Sequence, residues 1–114
     1  VLMSGLYLAQ PPLTPGQRAY FGDDASLYAQ RSPLNMTRKV SHPLLVTVAE
    51  RDPEQLRSQG QELAAALEGA GNNVELENLS QHNHVSPLMS LGSDNDATGQ
   101  VLRRFIGEST GRPN

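Results

Sequence analysis

The chain has 114 residues, of which 37% are hydrophobic and 18% are charged, so it can form one globular domain with a real core. Its net charge of −3 argues against nucleic acid or an anionic membrane surface as partner, because both need clustered Lys and Arg to offset phosphate charge. The absence of cysteine excludes a disulfide framework and a thiolate nucleophile, and no apolar stretch approaches the roughly 20 residues that a membrane-spanning helix needs.

The first part of the chain predicts one strand followed by loops and short helices. Val1–Ser4 is expected to be the end of a buried strand, so that the chain begins in the middle of a fold. Prolines between Gln10 and Gly16 prevent a regular element there, and a short helix is expected to begin near Pro15. A second short helix is expected over Asp24–Arg31, ended by Ser32-Pro33 because a residue before proline disfavours the α region.

The strongest pattern is a strand, a helix and a second strand between residues 43 and 79. Leu44–Ala49 is apolar apart from one threonine and rich in β-branched residues, which is typical of a strand buried in a parallel sheet. From Pro53 onward, apolar residues recur three or four apart and predict a helix that ends near Gly69. From Val74, apolar residues alternate with glutamates, which predicts a strand near the sheet edge with one wet face. Together these segments predict a β-α-β unit.

The last part of the chain predicts two helices and a tail. Ser86 is expected to cap a short helix that has Pro87 at its first position and extends through Leu91. A longer helix is predicted from Ala97 to Ile106. Residues 108–114 are polar with glycine and proline and are expected to form a flexible tail, which leaves residues 1–107 as the domain.

Two polar residues follow neighbouring strands of this predicted sheet. Asp52 comes just after the first strand of the β-α-β unit, and His84 comes just after the second. Catalytic groups gather at the carboxyl ends of parallel strands, so both side chains are expected to face one crevice. There a carboxylate can accept a hydrogen bond from Nδ1 of a histidine, fix its tautomer, and stabilise the imidazolium that forms when the other nitrogen takes a proton from a serine.

Each of these residues also has an ordinary structural explanation. Asp52 followed by Pro53 is a typical helix start, with Asp as the N-cap, and this role is compatible with a catalytic one. His84 taken alone suits a surface loop. His82 and His84 could bind a metal together with His42, but no third ligand stands at a recognisable spacing, so neither a metal site nor a cofactor is predicted.

No nucleophile motif accompanies the Asp and the His. The pattern Gly-x-Ser-x-Gly, which places a nucleophilic serine on a strained turn after a strand, is absent from the chain. Ser86 lies two residues from His84 and is better explained as a helix cap, and Ser4-Gly5 is only vaguely similar to such a turn. The chain by itself is therefore not expected to hydrolyse a substrate efficiently, because the covalent route requires a nucleophile.

Four segments carry a family pattern: Ala29–Leu34, Pro43–Pro53, Glu68–Glu75 and His82–Ser86. Together they resemble the C-terminal part of an α/β-hydrolase of the esterase and lipase group, near its feruloyl-esterase-like and kynurenine-formamidase-like branches. In that family the chain order is Ser, then Asp or Glu, then His. The resemblance implies that Asp52 is the triad acid, that His84 is the triad base, and that the fold has about three parallel strands with flanking helices. It also implies that Tyr7, Leu8 and the segment Pro11–Phe21 line the substrate pocket.

The function implied by this resemblance is serine-dependent hydrolysis of a small-molecule carboxylic ester, without a cofactor. The chain would supply the acid and the histidine, and the missing N-terminal half would supply the nucleophile. Two alternatives stay open, namely an amidase or peptidase on the same fold, and a non-catalytic α/β interaction domain. A three-stranded sheet leaves an open edge, so self-association or pairing with the N-terminal half is expected. No signal peptide is recognised, and the cytoplasm is the expected location.

Overall fold

The sheet has three parallel strands, and the computed structural model that shows it describes residues 1–111. The strands are β1 (Leu2–Met3), β2 (Leu44–Ala49) and β3 (Val74–Leu79), in the spatial order β1-β2-β3. Both pairings are parallel, with Leu2 opposite Val46 and Val46 opposite Leu76. The predicted α/β architecture is confirmed, and the carboxyl ends of the three strands meet at one edge of the sheet.

The central strand is buried and the first strand is not. Four of the six β2 residues are at most 1% exposed, because strands flank it on both sides and helices lie over its faces. Val1 and Leu2 are 51% and 36% exposed, so the prediction that this strand is buried is wrong. Within the described residues β1 pairs with β2 alone, which leaves its other side open.

The segment between β1 and β2 holds a small core of its own. Its regular elements are α1 (Pro15–Phe21), a 3-10 turn (Ala25–Leu27), α2 (Tyr28–Arg31) and a second 3-10 turn (Pro33–Met36). α1 begins at Pro15 as predicted, after a capping box in which Thr14 and Gln17 exchange hydrogen bonds. Phe21 packs there with Ala9 and Tyr28.

Helix α3 (Glu54–Gly69) connects β2 to β3 and covers one face of the sheet. Its buried side contains Leu63 and Leu67, as the apolar spacing predicts, and these pack against Val46. Gly60 lies so close to β2 that a Cβ atom there would overlap the side chain of Val48. A glycine in the middle of this helix is therefore explained by the close approach of helix and strand.

One polar residue, Gln59, interrupts the buried side of α3. It is 1% exposed, and its Oε1 accepts hydrogen bonds of 2.8 Å from the backbone amides of both Tyr7 and Leu8. Its Nε2 donates to the Leu8 carbonyl at 3.0 Å. The Gln59 side chain thus provides hydrogen-bond partners for backbone groups after β1 that do not pair with a strand. It also fixes that segment against α3.

Helix α5 (Ala97–Thr110) lies on the opposite face of the sheet. Arg104 forms a bidentate ion pair with Glu75 of β3, which stands opposite Leu45 and therefore on the face turned away from Val46. Glu75 is consequently half-buried, whereas Leu76 on the other face is 43% exposed. The prediction that the glutamate face of β3 is the exposed one is therefore wrong. No helix within residues 1–111 is long and apolar enough to cross a membrane.

The last helix continues beyond the predicted end. It passes Ile106, reaches Thr110 and stops at Gly111, whose left-handed conformation is a common helix end. Residues 108–110 are therefore helical, while residues 112–114 of the predicted tail lie outside the described residues. The division of the chain after residue 107 stays a prediction.

Candidate active site

Asp52 lies just beyond the carboxyl end of β2, with its side chain fully buried. Its Oδ2 accepts two hydrogen bonds, one of 2.8 Å from the Ala49 amide and one of 2.6 Å from the Ser4 hydroxyl. Its Oδ1 lies 2.9 Å from Nδ1 of His84. The predicted helix cap is wrong, because α3 has Pro53 at its N-cap and no side-chain capping bond. The carboxylate is directed to the sheet and to the histidine instead of to the helix.

His84 lies in the loop after β3 and is open to solvent, with 53% of its side-chain surface exposed. This loop is tied to the loop after β2 by backbone and side-chain bonds. The Arg51 amide donates to the His82 carbonyl at 2.9 Å, and the Gln81 amide donates to the Glu50 carboxylate at 2.6 Å. These bonds between the loops bring His84 into hydrogen-bond contact with Asp52, 32 positions earlier in the chain.

The surroundings of Asp52 decide its charge. Burial by itself would raise the pKa of this carboxyl, but the hydrogen bonds from Ser4, Ala49 and His84 together outweigh burial, so the pKa lies below its ordinary value. Asp52 is therefore ionised at neutral pH and can only accept hydrogen bonds. A neutral His84 must then carry its proton on Nδ1, which leaves Nε2 as a free base.

His82 and Ser86 form a separate contact in the same loop. His82 Nδ1 lies 2.9 Å from Ser86 Oγ, and the Asn83 amide donates to that oxygen, also at 2.9 Å. Helix α4 spans only Ser86–Met89, and Asn83 rather than Ser86 satisfies its start, by accepting from the amides of Val85 and Ser86 at 3.0 Å each. The predicted Ser86 cap is wrong, because an Asx turn at Asn83 replaces it. The predicted extension through Leu91 is also wrong, because the helix ends at Met89 and turns follow it.

The two loop histidines do not converge. Nδ1 of His82 faces Ser86, whereas Nδ1 of His84 faces Asp52. Among the described residues there is no group of three or more His, Cys, Asp and Glu side chains that could hold a metal ion.

Ser4 belongs to the site, although its sequence pattern predicts only a strand end there. Its amide donates to the Thr47 carbonyl at 2.9 Å, so it continues the pairing of β1 with β2, and its hydroxyl then reaches Asp52. The signal was present in the sequence, because Ser4, Asp52 and His84 each follow one of three successive strands. Its use required the knowledge that β1 lies beside β2.

A large apolar cavity of about 690 Å³ lies away from this pair. It is lined by Tyr7, Phe21, Leu63 and Leu67 together with Leu44, which is the first residue of β2. Asp52 and His84 follow the opposite ends of the strands and do not line it. Tyr7 is 6% exposed and packs in the core with Val46, so its ring forms part of the wall between the core and the cavity.

Comparisons with known proteins agree with this fold. Residues 5–106 match the prolyl oligopeptidase family. A kynurenine formamidase of Danio rerio is 31% identical over 113 residues, which are 95% of this chain and 39% of that protein.

Solved structures of esterase 2 of Thermogutta terrifontis have a similar fold. The form phosphoramylated by tabun matches with a TM-score of 0.67 and 18% identity, covering 99% of this chain and 42% of that one. The apo form matches with a TM-score of 0.65 and 19% identity, covering 96% of this chain and 40% of that one. The chain therefore has the fold of part of an α/β-hydrolase and spans about two fifths of the length of these relatives.

Proposed function

The chain belongs to the prolyl oligopeptidase family, and we propose that it carries the acid and the base of a serine hydrolase triad, Asp52 and His84. The observation on which the proposal depends is the contact of 2.9 Å between a buried, ionised carboxylate and Nδ1 of an exposed imidazole. A carboxylate in that position orients the ring and stabilises its protonated form. A surface histidine without catalytic function does not require a buried partner.

The proposed reaction begins with a serine hydroxyl from another part of the protein. His84 Nε2 takes the proton of that hydroxyl while its oxygen attacks the substrate carbonyl, and Asp52 stabilises the imidazolium. The imidazolium then returns the proton to the leaving alcohol, and an acyl-enzyme remains. His84 next takes a proton from water, which attacks the acyl-enzyme, and the imidazolium then gives that proton to the serine oxygen as the acid is released. Ala49 and Ser4 hold Asp52 in place throughout, through bonds that do not break in the cycle.

The proposed substrate is a small carboxylic ester, and the solved structures of similar fold are named esterases. A second candidate is hydrolysis of a formamide. It is favoured by the 31% identity to a protein named kynurenine formamidase, which exceeds the 18% identity to the esterase. Both reactions use the same acid and base, so a comparison of rates on an aryl acetate and on an N-formyl arylamine separates them.

We also propose that the exposed side of β1 is covered by the rest of an α/β-hydrolase domain or by a second copy of the chain. The support is the exposure of Val1 and Leu2 beside an apolar cavity. Size-exclusion chromatography and thermal melting of the 114-residue chain test this need for a partner. A monodisperse monomer that melts cooperatively would contradict it.

Replacement of His84 tests the catalytic proposal. We would measure hydrolysis of a short-chain aryl ester by the longest polypeptide of the reading frame that contains this chain. His84→Ala is expected to lower kcat at least about 10³-fold, because no other group takes the serine proton. His82→Ala is the matched control, since it removes a neighbouring imidazole bound to Ser86. Rates that are equal in wild type, His84→Ala and Asp52→Asn would refute the proposal and would favour a non-catalytic interaction domain.

A further inference from the structure

The backbone of Ser4 is unusual for a residue other than glycine. Its φ of 43° lies in the left-handed region, directly after β1, although a side chain disfavours that conformation. Its amide still pairs with Thr47 of β2. The chain thus leaves the strand at Ser4 by a strained turn, and the hydroxyl is placed over the carboxyl end of the neighbouring strand.

The hydroxyl of Ser4 contacts the oxygen of Asp52 that does not face His84. Oδ2 accepts from Ser4 at 2.6 Å and from Ala49 at 2.8 Å, while Oδ1 is left for the imidazole. Two donors on one oxygen prevent rotation of the carboxylate about its Cβ–Cγ bond. They also stabilise its negative charge in a site where the side chain has no exposed surface.

We propose that Ser4 is a positioning residue that holds the Asp52 carboxylate ionised and turned with Oδ1 toward His84. This inference rests on the proposed roles of Asp52 and His84. It adds Ser4, which follows β1, to a site formed by the residues that follow β2 and β3. Ser4 does not act as the nucleophile, because its hydroxyl donates to the acid and not to the base. The strained turn at Ser4 is explained as the conformation that brings this donor to Oδ2.

The titratable groups around Asp52 are few. His84 contacts its Oδ1, and the Tyr7 hydroxyl, which accepts from the Gly5 amide at 3.2 Å, lies near enough for the charge of Asp52 to affect it. Burial raises the pKa of Tyr7, and the charge of Asp52 raises it further, so Tyr7 stays neutral near pH 7. Neither group supplies a proton to Oδ2, so Ser4 is the side-chain donor there.

The test is the titration of the Asp52 carboxyl carbon by NMR in the longest polypeptide of the reading frame that contains this chain. Ser4→Ala is expected to raise the proton affinity of Asp52 by roughly tenfold, because one hydrogen bond to the charged form is lost. Ser4→Gly, which suits a positive φ, is expected to give the same change and serves if the alanine variant does not fold.

The matched control is Ser26→Ala. Ser26 donates to Asp24 at 2.6 Å, the same length as the Ser4 bond, at an exposed site away from the sheet. It should change the titration of Asp24 and leave that of Asp52 unchanged. A titration of Asp52 that is unchanged in Ser4→Ala and in Ser4→Gly would overturn the inference.

An activity readout keeps the two proposals distinguishable. In the longer polypeptide, Ser4→Ala is expected to lower kcat about tenfold with KM unchanged. Unchanged ester hydrolysis in His84→Ala refutes the proposed function, whatever Ser4 does. Lost hydrolysis in His84→Ala together with an unchanged kcat in Ser4→Ala refutes the role of Ser4 alone.

Discussion

Replacement of Asp52 by asparagine is expected to reverse the tautomer of His84. The Ala49 amide points at the Oδ2 position and can only donate, so the carbonyl oxygen of the asparagine should occupy that position. Its NH₂ group then takes the place of Oδ1 and points at Nδ1 of His84. Because an NH₂ group donates, Nδ1 must accept, and the proton of a neutral imidazole moves to Nε2. The nitrogen that should act as the base is then blocked.

The structure allows the size of this effect to be stated. The variant keeps its hydrogen bonds from Ser4 and Ala49 and forms a new one to His84, so the free energy of unfolding at pH 7 should change by no more than about 2 kcal/mol. Activity should fall far more, because the base is lost and the imidazolium has no negative partner. A loss on the order of 10⁴-fold in kcat is expected, which corresponds to about 5.4 kcal/mol of transition-state stabilisation.

Two assays check this prediction. Nitrogen NMR shifts of His84 in the longer polypeptide report which ring nitrogen carries the proton, at a pH where the ring is neutral. Ester hydrolysis by the longer polypeptide reports kcat, with Asp24→Asn as a control at an exposed aspartate that also accepts from a serine.

An Asp52→Asn variant in which His84 keeps its proton on Nδ1 would contradict the expected reversal of the tautomer. A reversed tautomer without loss of activity would show that Nε2 is not the base. A folded spectrum is required in both cases, and the small expected change in stability makes that requirement realistic.

Three further predictions concern stability, each measured as the free energy of unfolding in urea. Gln59→Ala should lower it by about 2 to 4 kcal/mol, because buried backbone amides lose their acceptor, whereas exposed Gln61→Ala on the same helix should change it by less than about 0.5 kcal/mol. An equal effect of Gln59→Ala and Gln61→Ala would contradict the role of Gln59 in holding the segment after β1. Gly60→Ala should destabilise by about 1 to 3 kcal/mol through overlap with β2, while Gly69→Ala, with open space around its Cβ position, should not destabilise. A stabilising effect of Gly60→Ala would show that α3 and β2 leave room for a methyl group at residue 60. The folded-state pKa of Asp52 is lowered, so its contribution is complete above about pH 4 and is lost as the pH falls through the folded-state value. Unfolding free energy should therefore decrease more steeply on acidification in wild type than in Asp52→Asn, and parallel curves would contradict this.

Local pattern was sufficient for the elements that position the site. The continuous apolar run of β2 and the three- and four-residue spacing of α3 reflect which side of each element is buried, and the alternation in β3 has the two-residue period of a strand. These patterns predicted the parallel β-α-β unit correctly. They failed where exposure depends on a distant neighbour, as at Leu2 on an open sheet edge and at Glu75, which Arg104 covers.

The helix starts show why side-chain roles were harder to predict. Asp52 and Ser86 both stand where capping preferences favour a cap, yet neither side chain caps its helix. Each found partners outside its own turn or in a competing turn, Asp52 with Ser4 and Ala49, and Ser86 with His82 and Asn83. A capping preference is worth about 1 kcal/mol, which a buried charge in need of several donors easily exceeds.

The sequence by itself determined the order of strands and helices and placed Asp52 and His84 after successive strands, because these features depend on residues close together in the chain. Only the tertiary structure decided that Asp52 is buried, that it contacts His84 across 32 positions, and that Ser4, 48 positions away, donates to its other oxygen. The physical reason is that a buried carboxylate takes whichever donors the fold brings within about 3 Å. Which donors these are depends on the strand order, and local sequence does not encode that order.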